Sequence, residues 1–371
     1  LGYNRIKVKV QTMQASQQYI TQFNQSIQQF FQGALRVSLK SPAQALFLWQ
    51  TTRRQKQAAQ RRLSWEARGV HVPPFMIVSV TKRCNLQCKG CYAHAQHRPT
   101  EPEMSTAKLR GILAEAHDLG TSIVMLAGGE PLTRPDILDI TADFPGIIFP
   151  MFTNGMLLDA AMVAKIKRQK NLAPILSLEG RQIETDVRRG AGVYAHLQDK
   201  MQMLKEQGII FGASLTVTQA NFETVTGREF VADLIAAGCK VFFFVDYVPV
   251  QEGTEVLCMT DAQRQAEPAR LDALRAEFPG MFVAFPGDEE LYGGCLAAGR
   301  GFIHISPEGR LEPCPFAPFS DVNLRDVSLT QALQSSFLKK LRENSQHLTE
   351  TRGGCALWAR REWVGSLLQS Q

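Results

Sequence analysis

The chain has 371 residues, 44% apolar and 20% charged, which is an ordinary globular composition. That length points to one large α/β barrel or two domains and excludes wholesale disorder. No apolar run reaches the ~18 residues of a membrane span. The net charge of +6 suits an anionic ligand but is too diffuse for a nucleic-acid surface, so no nucleic-acid partner is expected.

The opening LGYNRIKVKVQ has no secretory apolar region and does not begin with Met. A truncated or engineered end and a cytoplasmic location are expected from it. Residues 15–70 carry helical periodicity. Phe23, Ile27, Phe30, Phe31, Ala34 and Leu35 form one apolar face. A second segment starts at Ser41-Pro42 and carries Leu46, Phe47 and Trp49 ahead of the basic stretch TTRRQKQAAQRR. The expectation is an N-terminal helical arm, residues 1–72, packed on the main domain. Its amphipathic surface also suits peripheral membrane contact.

From Pro73 short β-rich runs alternate with amphipathic stretches. The strand candidates are FMIVSVT (75–81), SIVMLAG (122–128), IIFPMFT (147–153), APILSL (173–178), IFGASLTVT (210–218) and VFFFVDYV (241–248). Helical periodicity fills the gaps in STAKLRGILAEAHDLG, DAAMVAKIKRQ, YAHLQDKMQMLKEQG and TGREFVADLIAAG. Continuous apolar strands alternating with helices predict a parallel sheet with right-handed crossovers. The fold class is α/β, a partial (β/α)6 TIM-like barrel over residues 73–285. Its functional residues should gather at the C-terminal ends of the strands. Gly128-Gly129-Glu130-Pro131, Thr153-Asn154-Gly155, Ser177-Leu178-Glu179-Gly180, Thr218 with Asn221, and Tyr247 to Pro249 all fall there. Residues 286–371 are rich in glycine and proline. They read as a small C-terminal extension built around a metal site, with a hairpin of FIHIS and GRLEPC.

The chemistry centres on TKRCNLQCKGCYAHA, which follows the first strand and places Cys84, Cys88 and Cys91 in one short loop. A disulfide knot, a zinc site, an iron–sulfur site and chance are the alternatives. A chain with an ample core needs no disulfide staples, and clustered thiols in a reducing cytosol are more often metal ligands. Structural zinc usually takes two pairs of ligands, and no partner C-x2-C is present. A four-iron cubane takes four ligands, so three thiolates leave one iron open to substrate. His94 and His97 read as solvated or hydrogen-bonded neighbours.

C-x3-C-x2-C at this place, followed by GGEP, TNG and SLEG at successive strand ends, resembles the radical S-adenosylmethionine superfamily over roughly residues 75–250. The resemblance implies that Cys84, Cys88 and Cys91 hold a [4Fe–4S] cluster. S-adenosylmethionine would chelate its open iron and be cleaved reductively to a 5′-deoxyadenosyl radical, which abstracts a hydrogen atom from substrate. It implies that Gly128, Gly129 and Glu130 meet the methionyl ammonium. Asn154, Ser177 and Glu179 join the cofactor-binding set. Arg189 is either a carboxylate partner or a surface salt bridge. The residue before the third cysteine, usually aromatic or bulky, is Gly90 here, with Tyr92 as the candidate substitute near the adenine.

Cys295, Gly309-x4-Cys314 and Cys355 look like the start of a SPASM or twitch extension. The resemblance implies one auxiliary cluster, a second [4Fe–4S], with Cys258, a non-cysteine side chain or a substrate as its fourth ligand. Cys239 reads as a core thiol. The family also implies an electron donor such as flavodoxin or ferredoxin. The substrate, whether peptide, small metabolite or lipid-like, stays unidentified. No winged-helix peptide module or cobalamin domain is apparent before the barrel. No catalytic residue is assigned; Glu179, Asp246, Tyr247 and Tyr292 are acid or base candidates by position. The rival readings are a non-catalytic iron–sulfur scaffold and a zinc-binding structural protein.

Overall fold

The computed structural model describes residues 42–96, 101–289, 294–348 and 355–369. The expectations for Phe23 to Leu35, Leu46, Phe47, His97 and Tyr292 lie outside the described residues or side chains. The first described element is helix α1 (Pro42–Glu66), which lies against the barrel. Its basic stretch does not simply face water. Arg62 is buried and donates to the Gly120 carbonyl at 2.6 Å, and Arg54 donates to the Pro145 carbonyl. Burial, helped by the neighbouring Arg61 charge, lowers the Arg62 pKa to about 10. Trp49 stays 57% exposed. No helix among the described residues is long and apolar enough to cross a membrane.

The barrel follows in the expected order. Strand β1 (Phe75–Thr81) leads to helix α2 (Thr106–Leu119), which Ser105 starts by accepting from the Lys108 amide. Gly120 ends α2 in a left-handed conformation, φ +100°. A Cβ there would stand 2.4 Å from the Ala58 carbonyl of α1, so glycine both stops α2 and lets α1 dock. Next come β2 (Ile123–Gly128), α3 (Ile137–Ala142), β3 (Phe149–Thr153), α4 (Ala160–Gln169) and β4 (Leu172–Leu178). The loop after β4 runs into α5 (Gln182–Arg189) and α6 (Val193–Glu206), and then β5 (Gly212–Val217), α7 (Arg228–Ala237) and β6 (Val241–Asp246). The strands are almost continuously buried, because helices cover one side and the barrel interior the other.

The sheet goes further than six strands. Helix α8 (Asp261–Glu277) crosses to β7 (Met281–Phe285), which pairs in parallel with β6 and stacks Phe282 on Phe242 at 4.8 Å. At the other edge β8 (Phe302–Ile305) pairs in parallel with β1, and β9 (Leu311–Glu312) pairs back on β8. The order is β7-β6-β5-β4-β3-β2-β1-β8-β9, a curled and mostly parallel half-barrel. The expected hairpin therefore exists, but it extends the barrel sheet. A buried chain binds it there: Ser79 on β1 bonds His304 on β8 at 2.8 Å, and His304 bonds Glu312 on β9 at 2.8 Å. This Ser–His–Glu array is 3%, 4% and 1% exposed and reaches no cavity wall described below, so it joins strands and has no access to substrate. Helix α9 (Ser336–Glu343) packs its buried Phe337, Leu338 and Leu341 behind the extension.

Candidate active site

A cavity of about 800 Å³ opens at the C-terminal ends of the strands. Cys84, Cys88 and Cys91 line it, and so do Cys295, Cys314 and Cys355. The first trio sits on the loop leaving β1. The glycine pair at the end of β2 sets the course of that loop. A Cβ on Gly128 would meet the Thr81 carbonyl at 2.4 Å, and one on Gly129 the Arg83 carbonyl at 2.2 Å. Without side chains the two backbones come close enough for Gly129 N to bond Thr81 O and Glu130 N to bond Arg83 O, both at 2.8 Å.

Glu130 lines the cavity, but its carboxylate is engaged within the barrel. Oε1 accepts from Thr153 Oγ1 at 2.7 Å and from the Leu132 amide at 3.0 Å; Oε2 accepts from the Asn154 amide at 2.7 Å. It ties β2 to β3. Burial pushes its pKa up against those three donors. Asn154, expected in the cofactor-binding set, has its amide turned to the cysteine loop. Nδ2 bonds Asn85 Oδ1 at 2.8 Å and lies 3.8 Å from Cys84 Sγ. Burial raises the Cys84 thiol pKa. It also raises that of Cys88, with the Arg189 and Arg188 charges opposing.

Glu179 is 1% exposed and faces two arginines of α5. Arg189 reaches its Oε1 through Nε at 2.8 Å, and Arg188 through Nη1. The surface salt bridge considered for Arg189 is thus a buried one whose guanidinium also lines the cavity. Such a carboxylate serves as the counter-ion of two guanidiniums. Its Oε2 is buried with no hydrogen-bond partner among the described residues. Arg188, which the sequence did not single out, also bonds Thr216 Oγ1 at 3.1 Å and the Lys89 carbonyl at 3.1 Å. The Lys89 amide returns a bond to the Arg188 carbonyl at 3.0 Å, stapling the cysteine loop to the end of α5. Adjacent arginines in TDVRRG were the available signal. Ser177 lines the cavity beside Ser214 and Thr216.

Gly90 has φ +67°, and a Cβ there would lie 2.3 Å from Tyr247 Oη. Tyr247, from the end of β6, thus fills the space over residue 90, with Arg188 5.9 Å from its ring. Tyr92, the candidate near the adenine, also lines the cavity and meets Phe316 edge-on at 5.2 Å, with Cys91 and Cys314 nearby. Burial, then those two thiols, raises its hydroxyl pKa. Asp246 and Glu267 form a buried carboxyl pair on another part of the wall. Burial, then the Asp288 charge, lifts Glu267 to about 7 despite its hydrogen bond with Asp246. The sequence reading missed Glu267, because helix α8 was not recognised.

The second trio lies on three separate segments. The Ala298 amide bonds the Pro313 carbonyl at 3.2 Å and the Cys295 amide bonds the Leu348 carbonyl at 3.2 Å, drawing these segments together. Cys355 Sγ accepts from the Trp358 amide at 3.4 Å. Cys258, a candidate fourth ligand of the auxiliary cluster, is not among the residues lining the cavity, and its Sγ lies 3.9 Å from the Tyr247 carbonyl at the end of β6. Cys239 is fully buried against Met201, and burial pushes its thiol up to about 12. His94 is exposed. Among the described residues, no three His, Cys, Asp or Glu side chains converge as ligands of a single metal ion. Each trio offers soft thiol donors of the kind that iron–sulfur clusters take.

A parallel half-barrel thus carries a three-thiol loop after its first strand and buried arginines at the same rim. Residues 78–235 match the model of the Radical SAM superfamily. The AdoMet-dependent heme synthase of Methanosarcina barkeri (strain Fusaro / DSM 804) is 26% identical over 314 residues, covering 77% of this chain and 88% of that protein. The PqqA peptide cyclase of Gluconobacter oxydans is 24% identical over 311 residues, covering 80% and 86%. Streptococcus suis SuiB, solved with its precursor peptide SuiA, shares the fold with a TM-score of 0.60 at 18% identity, over 79% of this chain and 71% of that one. The chain carries a Radical SAM superfamily domain over residues 78–235, and the chemistry of that superfamily rests on AdoMet and a [4Fe–4S] cluster.

Proposed function

We propose that the chain abstracts a hydrogen atom from a substrate held between two iron–sulfur clusters, one on Cys84, Cys88 and Cys91 and one on Cys295, Cys314 and Cys355. The observation that carries this reading is that both trios line the same cavity of about 800 Å³. The cluster and AdoMet, when bound, supply one-electron cleavage of a sulfonium and a hydrogen-abstracting radical. The protein's part is to hold and to exclude water. Asn154 and the Lys89–Arg188 staple fix the first thiol loop. Arg189 offers a guanidinium to an anionic group in the cavity while Glu179 keeps it oriented. Ser177 adds a hydroxyl.

Phe152, Phe243, Phe285 and Phe302 give the cavity an apolar side. That supports a substrate with a sizeable apolar portion; the relatives include a heme synthase and a peptide cyclase. A flavodoxin or ferredoxin would deliver the electron to the first cluster. The test is anaerobic reconstitution followed by dithionite and AdoMet. We expect ~8 iron per chain and release of 5′-deoxyadenosine. The Cys84→Ala/Cys88→Ala/Cys91→Ala variant should hold ~4 iron and release none. A wild type that binds iron but yields no 5′-deoxyadenosine would favour the scaffold reading.

A further inference from the structure

Cys295, Cys314 and Cys355 leave a cubane one ligand short. The commonest way to add a thiolate is C-x2-C, but the residue in that position after Cys355 is Trp358, whose indole has no lone pair to donate. Cys258 stands away from the trio, and Cys239 is enclosed in the core. Among the described residues of this part of the wall there is also a carboxylate. Glu289 lines the cavity with the three cysteines and is 8% exposed. Its carbonyl accepts from the Gly294 amide at 3.0 Å, which folds the chain back so that Glu289 and Cys295 lie together. Its Oε2 accepts from the Gly287 amide at 2.9 Å. That N–H bond orients the carboxylate group, as supporting hydrogen bonds do for carboxylate metal ligands.

We infer that Glu289 is the fourth protein ligand of the second cluster, giving that site a Cys3Glu set. This rests on the proposal that the trio holds a cluster at all. The electrostatic surroundings agree, since the Glu289 charge acts on both Cys295 and Cys314, adding to the effect of their burial. As ligands, three thiolates and a carboxylate would place four anions in one buried wall, and a cationic cluster core would offset their repulsion. One oxygen among three sulfurs makes one iron chemically distinct from the rest.

The experiment uses the full chain in the Cys84→Ala/Cys88→Ala/Cys91→Ala background, so that only the second cluster remains. The protein is reconstituted anaerobically with 57Fe and examined by Mössbauer and EPR spectroscopy, with and without added cyanide. We expect ~4 iron in this parent, one iron site with oxygen-like parameters, and no response to cyanide. Glu289→Ala should open that iron, so its EPR spectrum changes with cyanide. Glu289→Cys keeps a ligand and should convert the distinct iron to a sulfur-like site, which covers the case where the alanine variant fails to fold. Parent, alanine and cysteine variants with superimposable spectra would overturn the assignment of Glu289 while leaving the cluster intact. A parent without iron would overturn the cluster reading, and the inference with it.

Discussion

At the scale of single residues, the site is held by side chains whose surroundings allow few substitutes. Glu179 neutralises two buried arginines, so Glu179→Gln leaves two guanidiniums against a neutral amide. Removing one partner of a buried ion pair costs about 3–5 kcal/mol, and a denaturant titration of the apo chain should register a loss of that order. Gly90→Ala combines a left-handed backbone, costing about 1–2 kcal/mol, with a clash against Tyr247. In a double-mutant cycle the pair Gly90→Ala/Tyr247→Ala should lose less than the sum of the single losses, by about 1 kcal/mol or more. Additive losses would mean that Tyr247 does not set the need for glycine there. The cysteine loop was legible because its spacing survives in the sequence whatever the side chains do. The duties of Glu130 and Asn154 were not. Strand position shows that a residue reaches the rim, but not whether its polar group turns to the cavity or to the neighbouring strand.

At the scale of elements, the end of β2 governs the first cysteine loop. Gly129→Ala would drive a methyl into the Arg83 carbonyl and push the loop outward. The expected result is iron falling from ~8 toward ~4 per chain after reconstitution, with the far-UV spectrum unchanged. Full iron loading would mean that the loop tolerates the displacement. Strands β1 to β6 were readable because each is a near-continuous apolar run set off by an amphipathic helix. Strand β7 escaped because MFVAF is short and follows a helix, α8, whose mean hydropathy is low and which carries Pro268 in its interior. Missing α8 also hid Glu267. The pairing of β8 with β1 could not be read at all, since nothing local in FIHIS specifies a partner 225 residues away.

For the whole molecule, two consequences can be measured. Glu267 holds its proton to about pH 7 when folded, whereas an ordinary glutamate releases it near 4.5. The folded state therefore binds more protons between those values, and stability falls as pH rises through that window. The rise corresponds to roughly 3 kcal/mol, lost by pH 8 relative to pH 4.5. Glu267→Gln should flatten the difference between unfolding curves at pH 5 and pH 8; an unchanged difference would assign it to other groups. The second consequence concerns the boundary at residues 285 and 286. Strand β8 pairs with β1 from Phe75 to Val78 and stacks Phe302 on Phe75 at 5.3 Å. A chain ending at residue 285 exposes that edge, and it should be recovered as aggregate and not as a monomer in size-exclusion chromatography.

The same ladder bears on how the protein is born. Ser79 leaves the ribosome 225 residues before His304, the residue it must bond. At about 5–20 residues per second, the β1 edge waits roughly 10–45 s for its cover. During that interval an apolar strand with unpaired amides is open to any other nascent chain. Slower growth temperatures and abundant holdase chaperones should therefore raise the soluble yield, while faster translation should lower it, before any iron is supplied.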